Sequence, residues 1–274
     1  MSSKDEILSS LHRLPSMPVV VQEVMASFRN ENLDSATLAH KIAQDQGLSA
    51  KMLRVANSSF YGLPRKISSI QDAVAVMGLN SVRSLVLSAG FVQAFPPVSH
   101  GLFDRHAFWK RSFRVACYAQ ALAQCLNQDR QTAYTAGMFH DIGQLVLDIC
   151  IPYQFEDLLQ LQSASGASLI EIEQSQLGFD HAEIGAELAK RWNFPPKIEH
   201  AIRYWYTPEH EPSEPATDLV YVAVLLERGI SGDELDSHLP KILRDRLRID
   251  PECIRECLPD SAQIDAESEL MLAT

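Results

Sequence analysis

An adjacent histidine and aspartate, His140 and Asp141, lie in the small and apolar stretch TAGMFHDIGQLVL at residues 135–147. Imidazole nitrogens and carboxylate oxygens are both good ligands for divalent metals. A bend at a helix end can direct two neighbouring side chains into one cavity, and Gly143 fits such a bend. The dipeptide alone is more typical of a hydrogen-bonded helix cap, so a metal site is favoured only if further ligands lie nearby.

The charge of the chain argues against a general nucleic-acid binder. The formal net charge is −11, whereas such proteins rely on a cationic surface that releases phosphate counterions. The most basic run, KILRDRLR at residues 241–248, is interrupted by Asp245 and is typical of the solvated face of a helix.

The first ten residues lack the apolar core of a signal peptide, and no apolar run approaches the roughly 18 residues that a membrane span needs. We therefore predict a cytoplasmic protein without nucleic-acid or membrane partners.

The cysteines give little sign of a disulfide framework. Their number is odd and no CxxC occurs, which indicates reduced thiols. Two of them share one helix face at i,i+4 in CIREC, but two thiolates alone do not complete a tetrahedral zinc shell. The sequence therefore predicts no metal site among the five cysteines, which are Cys117, Cys125, Cys150, Cys253 and Cys257.

Helical signals recur along almost the whole chain, and hairpin signals are absent. Asp104 can cap a long helix, and Ser168 with Glu171 forms a capping box at the start of another. The clearest linker is FPPVSHGLFD, with two prolines and a glycine. We predict an all-α protein of about a dozen helices, divided into residues 1–98, residues 99–257 and an acidic C-terminal tail, 258–274, that is frayed or loosely docked.

Two groups of ordered motifs resemble a known family. AGMFHDIG, followed about forty residues later by DHAEIGAELAKRWNFPPKIEHAI, resembles the HD superfamily of metal-dependent phosphohydrolases, which includes the HD-GYP phosphodiesterases. The earlier stretches LPSMPVVVQEV and LAHKIAQDQGLSAKMLRVANSSFYGLPRKISSIQDAVAVMGLNSVRSLVLSAG are similar to the HDOD family, the HD-related output domain of bacterial signalling proteins. The resemblance runs from about Leu14 to Arg228. It implies an N-terminal helical subdomain, 1–98, packed on a degenerate HD-like helical bundle, 99–257.

Carrying over the metal ligands of the HD superfamily shows which of them this chain retains. The first ligand is a histidine next to a serine in the long helix, and here that position is Arg111, whose guanidinium does not ligate a metal. His140 and Asp141 match the next two ligands, and His181 matches a further histidine of the dinuclear HD-GYP enzymes. His106 precedes Arg111 by five residues, which turns it off the face that a substitute ligand would need. Arg111 could instead pair with Asp141, a cation replacing a cation, or lie on the surface as an ordinary arginine.

The remaining ligand positions of the superfamily are altered. The paired histidines expected after AIRY are Trp205 and Tyr206, and the closing aspartate matches Val224, with Glu227 one helical turn further on. The Gly-Tyr-Pro motif of HD-GYP enzymes is missing. We therefore expect a former-site pocket formed by Arg111, Trp205, Tyr206 and Val224.

These substitutions favour a signalling function over catalysis. Metal charge lowers the pKa of a bound water and stabilises phosphoryl oxygens, and both effects need a complete ligand set. We predict a non-catalytic HDOD regulatory module without catalytic residues or a cofactor, which acts on signalling proteins or binds a small ligand in the degenerate pocket. The alternative is a metal-dependent phosphohydrolase that acts on a nucleotide or cyclic dinucleotide, with a divalent metal on His140, Asp141 and His181.

Overall fold

The computed structural model describes residues 3–27, 35–58, 62–63, 65–96, 101–210 and 212–273. Within these ranges the chain forms eighteen α-helices and one 3-10 helix, with no strand, so the all-α prediction is confirmed. No described helix is both long enough and apolar enough to cross a membrane.

The first part of the chain contains six α-helices and the 3-10 helix. Their bounds are α1 Lys4–Ser9, the 3-10 helix Ser10–Arg13, α2 Val19–Ser27, α3 Ser35–Gln44, α4 Gln46–Ala56, α5 Ile70–Met77 and α6 Leu79–Ala94.

The second part contains the remaining twelve helices. Their bounds are α7 Arg105–Cys125, α8 Arg130–Phe139, α9 Gly143–Cys150, α10 Pro152–Ser165, α11 Leu169–Leu177, α12 His181–Arg191, α13 Pro196–Tyr204, α14 Pro215–Glu227, α15 Leu235–His238, α16 Lys241–Leu247, α17 Pro251–Cys257 and α18 Ser261–Leu272.

Polar caps fix the starts of the helices that carry the predicted site. The Asp104 carboxylate accepts hydrogen bonds from two backbone amides at the start of α7. Ser168 and Glu171 form the predicted capping box of α11, and Asp180 accepts from the backbone amide of Glu183 at the start of α12. Because an N-cap satisfies amides that have no partner within the helix, these residues define where each helix begins.

One continuous core joins the N-terminal helices to the second part of the chain. The Phe91 ring of α6 lies 4.6 Å from the Phe139 ring of α8 and 5.0 Å from the Trp192 ring, measured between centroids. Helix α2 approaches α6 so closely that a Cβ atom at Gly90 would overlap the Val21 side chain. An N-terminal helical subdomain therefore packs on the HD-like bundle, as predicted. The boundary predicted between residues 98 and 99 lies outside the described residues.

The acidic C-terminal segment is a docked helix, so the prediction of a frayed or loosely docked tail is wrong. Helix α18 packs along α7 and buries Ile264 completely. The Asp265 carboxylate accepts two hydrogen bonds of 2.7 Å from the Arg114 guanidinium, and Glu269 lies 3.3 Å from Lys110. The acidity of this segment complements a basic face of α7, which charge counting along the sequence cannot reveal.

The prediction of five reduced thiols is also wrong, because a disulfide joins Cys125 to Cys253 across 128 positions of sequence. Cys117, Cys150 and Cys257 are free. Pairing between cysteines so far apart depends on how α17 docks against the end of α7, and sequence spacing alone does not specify it.

The basic run at residues 241–248 keeps most of its charged side chains exposed, and two of its arginines also contact neighbouring segments. The Arg246 guanidinium donates to the backbone carbonyl of Pro208 and to the buried carboxylate of Asp218. Arg244 donates to the backbone carbonyl of Asp236. The prediction of a solvated helix face is confirmed for Lys241, Arg244 and Arg248, whereas the partly buried Arg246 stabilises the packing of α16.

Candidate functional site

A cavity of about 490 Å³ lies where the HD-like ligands were expected. It is bounded by α7, α12, α14 and the turn between α8 and α9. Six of the predicted residues line it, namely Arg111, His140, Asp141, His181, Trp205 and Val224. The structure therefore brings together the retained ligand positions and most of the substituted ones.

Gly143 brings the retained positions together. It begins α9, two residues after Asp141, and a Cβ atom at this position would overlap the backbone carbonyl of His181 and lie 2.8 Å from the amide nitrogen of Gly185. Gly143 does not have a positive φ. The glycine is needed for the close approach of α9 to α12 rather than for the bend that the sequence indicated.

Asp141 is the centre of the polar network. Its Oδ1 atom accepts a 3.1 Å hydrogen bond from His181 Nε2, and its Oδ2 atom accepts a 2.9 Å bond from Gln144 Nε2. The Arg111 guanidinium lies 3.5 Å from Oδ2 and also donates to Gln144 Oε1 at 3.3 Å. Burial would raise the pKa of Asp141, but the neighbouring imidazole rings and Arg111 hold that pKa below its usual range. The carboxylate is thus ionised and occupied on both oxygens.

His181 lies between two buried carboxylates. Its Nδ1 atom is 2.7 Å from Glu173 Oε2, which also accepts a 2.8 Å bond from the His181 backbone amide. Its Nε2 atom faces Asp141. Burial alone would lower the pKa of His181, but the Glu173 and Asp141 carboxylates raise it to about 10. Both ring nitrogens therefore carry protons, and an imidazolium has no lone pair for a metal.

His140 is in the opposite protonation state. Burial lowers its pKa, although the neighbouring Asp141 opposes this shift. Its Nδ1 atom lies 2.7 Å from the Gly137 carbonyl oxygen, so Nδ1 carries the single proton of the neutral ring. The ring packs edge-on against Trp205, with centroids 5.1 Å apart. Its Nε2 lone pair is the one ligand-like atom that remains among the three retained positions.

The donor set does not fit a divalent metal. Asp141 already accepts two hydrogen bonds and forms an ion pair with Arg111, and His181 donates through both nitrogens. A guanidinium at 3.5 Å from the carboxylate repels a second cation at the same place. The sequence left open whether Arg111 pairs with Asp141 or lies on the surface as an ordinary arginine, and the structure shows the pairing.

Tyr206 and Glu227 differ from the predicted pocket, whereas His106 lies outside it as predicted. The Tyr206 side chain does not line the cavity. Its hydroxyl instead donates a 2.6 Å hydrogen bond to the carboxylate of Asp180, the residue that caps the start of α12. Glu227 does line the cavity, and burial raises its pKa. His106 lies outside it, 3.3 Å from Glu269.

Sequence reasoning missed Glu173 and Gln144. Glu173 follows Leu169 and Ile170 by four and three residues, so its position on the buried face of α11 marks it as a charge with a partner in the core. Gln144 follows Asp141 by three residues, the spacing at which side chains meet around a helical turn.

A family model supplies the decisive comparison. The model of the HDOD domain matches residues 14–208, which is most of the chain. The chain belongs to the HDOD domain family. This HDOD chain is 25% identical over 267 residues to an uncharacterised protein of Treponema pallidum (strain Nichols), an alignment that covers 96% of the chain and 52% of that protein. The chain thus spans about half the length of this curated relative.

Two crystal structures share the HDOD fold over nearly the full chain. A protein of Shewanella amazonensis SB2B, named "Putative phosphohydrolase", is 30% identical with a TM-score of 0.81, and the match covers 98% of each chain. An HDOD domain protein of Geobacter sulfurreducens is 26% identical with a TM-score of 0.81, and the match covers 95% of this chain and 94% of that one.

Proposed function

We propose that the protein is a non-catalytic regulatory module, which acts through a partner protein or a small ligand bound at the cavity around Asp141. The observation that carries the proposal is the charge balance of Asp141. Arg111 and the His181 imidazolium together occupy the oxygens that would face a metal.

Without metal charge the cavity lacks the groups that phosphoester hydrolysis needs. A metal-dependent hydrolase lowers the pKa of a bound water and neutralises charge on the phosphoryl oxygens. Arg111 could contact an anion, but its charge is shared with Asp141 and it cannot take a proton from water. The His140 Nε2 atom could accept a proton, but the Asp141 oxygens beside it are already engaged by other protein groups. This combination favours binding over turnover.

The name of the Shewanella amazonensis relative supports the alternative of a phosphohydrolase with a reduced site on His140, Asp141 and His181. The two functions differ in a measurable way. Protein purified without chelator is analysed for Mn²⁺, Fe²⁺ and Zn²⁺ and assayed with bis(p-nitrophenyl) phosphate and cyclic dinucleotides in manganese. We expect no turnover above that of the Asp141→Ala variant. Turnover with bound manganese that disappears in Asp141→Ala would establish the alternative.

A matched pair of variants tests the part played by the guanidinium. Arg111→His places an imidazole where the HD superfamily carries its first ligand, and it removes the positive charge beside Asp141. Lys110→His makes the same replacement one residue earlier on α7, where the side chain pairs with Glu269 outside the cavity. We expect Arg111→His alone to increase manganese binding. Equal manganese binding by wild type and both variants would contradict the proposed role of Arg111.

A further inference from the structure

Three cysteine sulfurs meet at the C-terminal end of α7. Cys125 is the last residue of α7, and Cys253 and Cys257 lie one turn apart on α17. The Cys253 and Cys257 sulfurs are 4.0 Å apart, and all three sulfurs lie within 4.8 Å of one another. Among the described residues, this is the one group of three His, Cys, Asp or Glu side chains with ligand atoms so close together. We call it the thiol cluster.

We propose that the reduced thiol cluster binds one soft divalent metal ion, such as Zn²⁺, through three thiolates. In a tetrahedral zinc site, Zn–S bonds of about 2.3 Å place neighbouring sulfurs about 3.8 Å apart. The Cys253–Cys257 separation of 4.0 Å is close to this spacing before any adjustment. Cys125 adds the third thiolate, which CIREC alone lacks.

The thiol cluster borders a second cavity through Cys257. Cys257 lines this cavity, of about 340 Å³, together with the amide side chains of Gln120, Gln124 and Gln263. Water or a small thiol can therefore complete the coordination shell from this side. Thiolates select Zn²⁺ over Mg²⁺ and Mn²⁺. The metal preference of the thiol cluster thus differs from that of any site built on His140 and Asp141.

Metal binding and the disulfide exclude each other. The Cys125–Cys253 bond removes two of the three thiolates, so the structure describes the oxidised form and the proposal concerns the reduced one. A low-molecular-weight disulfide such as oxidised glutathione supplies the oxidant. The two cysteine thiolates lose two electrons and form the protein S–S bond, while the S–S bond of the small disulfide breaks to give two thiolates, which take up protons from water, and the metal is released.

Cadmium titration tests the proposal, because sulfur-to-cadmium charge transfer gives an ultraviolet band that carboxylate and imidazole ligands do not produce. The full chain is reduced, freed of reductant without oxygen, and titrated with Cd²⁺. We expect the band to saturate at one equivalent. Cys257→Ser should weaken the affinity on the order of 100-fold. The control Cys150→Ala, which replaces a thiol on α9, should leave the titration unchanged.

A second measurement does not depend on how well the variants fold. Wild-type protein is alkylated with iodoacetamide in the presence of Zn²⁺ or chelator, and each cysteine is mapped. Zinc should protect the three cysteines of the cluster and leave Cys150 unaffected, and oxidised glutathione should abolish the cadmium band and yield a Cys125–Cys253 peptide. Absence of a cadmium band, or equal alkylation with and without zinc, would overturn the proposal. Neither result bears on catalysis at Asp141.

Discussion

Helix α7 carries two clusters of reactive side chains whose groups are used in opposite ways. Arg111, near its start, belongs to the cavity network, and Cys125 at its end belongs to the thiol cluster, about 21 Å further along the helix axis. In the cavity, each ionised group is already balanced by another protein group. In the thiol cluster, two sulfurs are bonded to each other and the third, that of Cys257, is free and lies 4.0 Å from the Cys253 sulfur. A sequence motif shows where reactive side chains lie close together. Whether those side chains can still bind a ligand depends on the hydrogen bonds and ion pairs that they already form with each other.

The largest effect is expected from breaking the charge balance of the cavity at Glu173. Glu173→Gln leaves the buried His181 imidazolium without one of its two carboxylates, so we expect a loss of about 4 kcal/mol in the free energy of unfolding. Urea denaturation at pH 7 measures it. The control Glu171→Gln makes the same change at an exposed position of α11 and should cost less than about 1 kcal/mol. Similar losses in both variants would show that the cavity charges are not coupled as described.

The pairing of the His181 imidazolium with two buried carboxylates should make the free energy of unfolding depend on pH. The pKa of His181 is about 10 in the folded protein and near 6.5 when unperturbed. Because the folded value is raised, the stabilisation is complete below pH 6.5 and is lost as the pH rises through about 10. The difference in unfolding free energy between wild type and Glu173→Gln should therefore shrink across this window. A difference that stays constant from pH 6 to pH 10 would contradict it.

A steric change tests whether the cavity depends on the contact between α9 and α12. Gly143→Ala introduces a methyl group into the space held by the His181 carbonyl, so we expect a loss of about 3 kcal/mol. In Gly47→Ala the new Cβ meets only the Asp45 carboxylate, at 3.7 Å, and stability should rise by about 0.5 kcal/mol. Thermal unfolding of the two variants compares them directly.

The smallest effect on stability is expected in the thiol cluster. Cys257 is partly exposed and unbonded, so Cys257→Ser in the reduced protein should change the unfolding free energy by less than about 0.5 kcal/mol. Together with the loss of cadmium binding, this would separate a cluster built for a ligand from a network that holds the fold together. A large loss of stability in Cys257→Ser would show that the thiol cluster, like the network around Asp141, is needed to hold the fold together. That result would contradict the comparison.

Periodicity and capping residues predict much of this fold because they act within one helix. Asp104 and Ser168 cap the helices that the sequence assigned to them, and the His140–Asp141 pair marks the cavity. The resemblance to the HD superfamily also placed Arg111 at the first ligand position and offered its pairing with Asp141 as one of two alternatives, the one that the structure shows.

Features that depend on the docking of distant segments could not be predicted. Cys125 meets Cys253 only because α17 packs on the end of α7. From the sequence alone Asp265 is expected to be solvated, and only the fold places Arg114 opposite it. Tyr206 falls outside the cavity because Asp180 competes for its hydroxyl. In each case the deciding contact joins residues more than twenty positions apart.

Helix α18 lies along α7, the helix that carries a residue of each cluster. Gln263, near the start of α18, lines the second cavity, which Cys257 also lines. Glu269, near the end of α18, pairs with Lys110, the residue of α7 that precedes Arg111. Its twelve residues form a rod of about 18 Å laid along α7. The Asp265 and Glu269 carboxylates of this rod lie against Arg114 and Lys110, so the acidic end of the chain serves as a built-in counterion for the helix that carries both clusters.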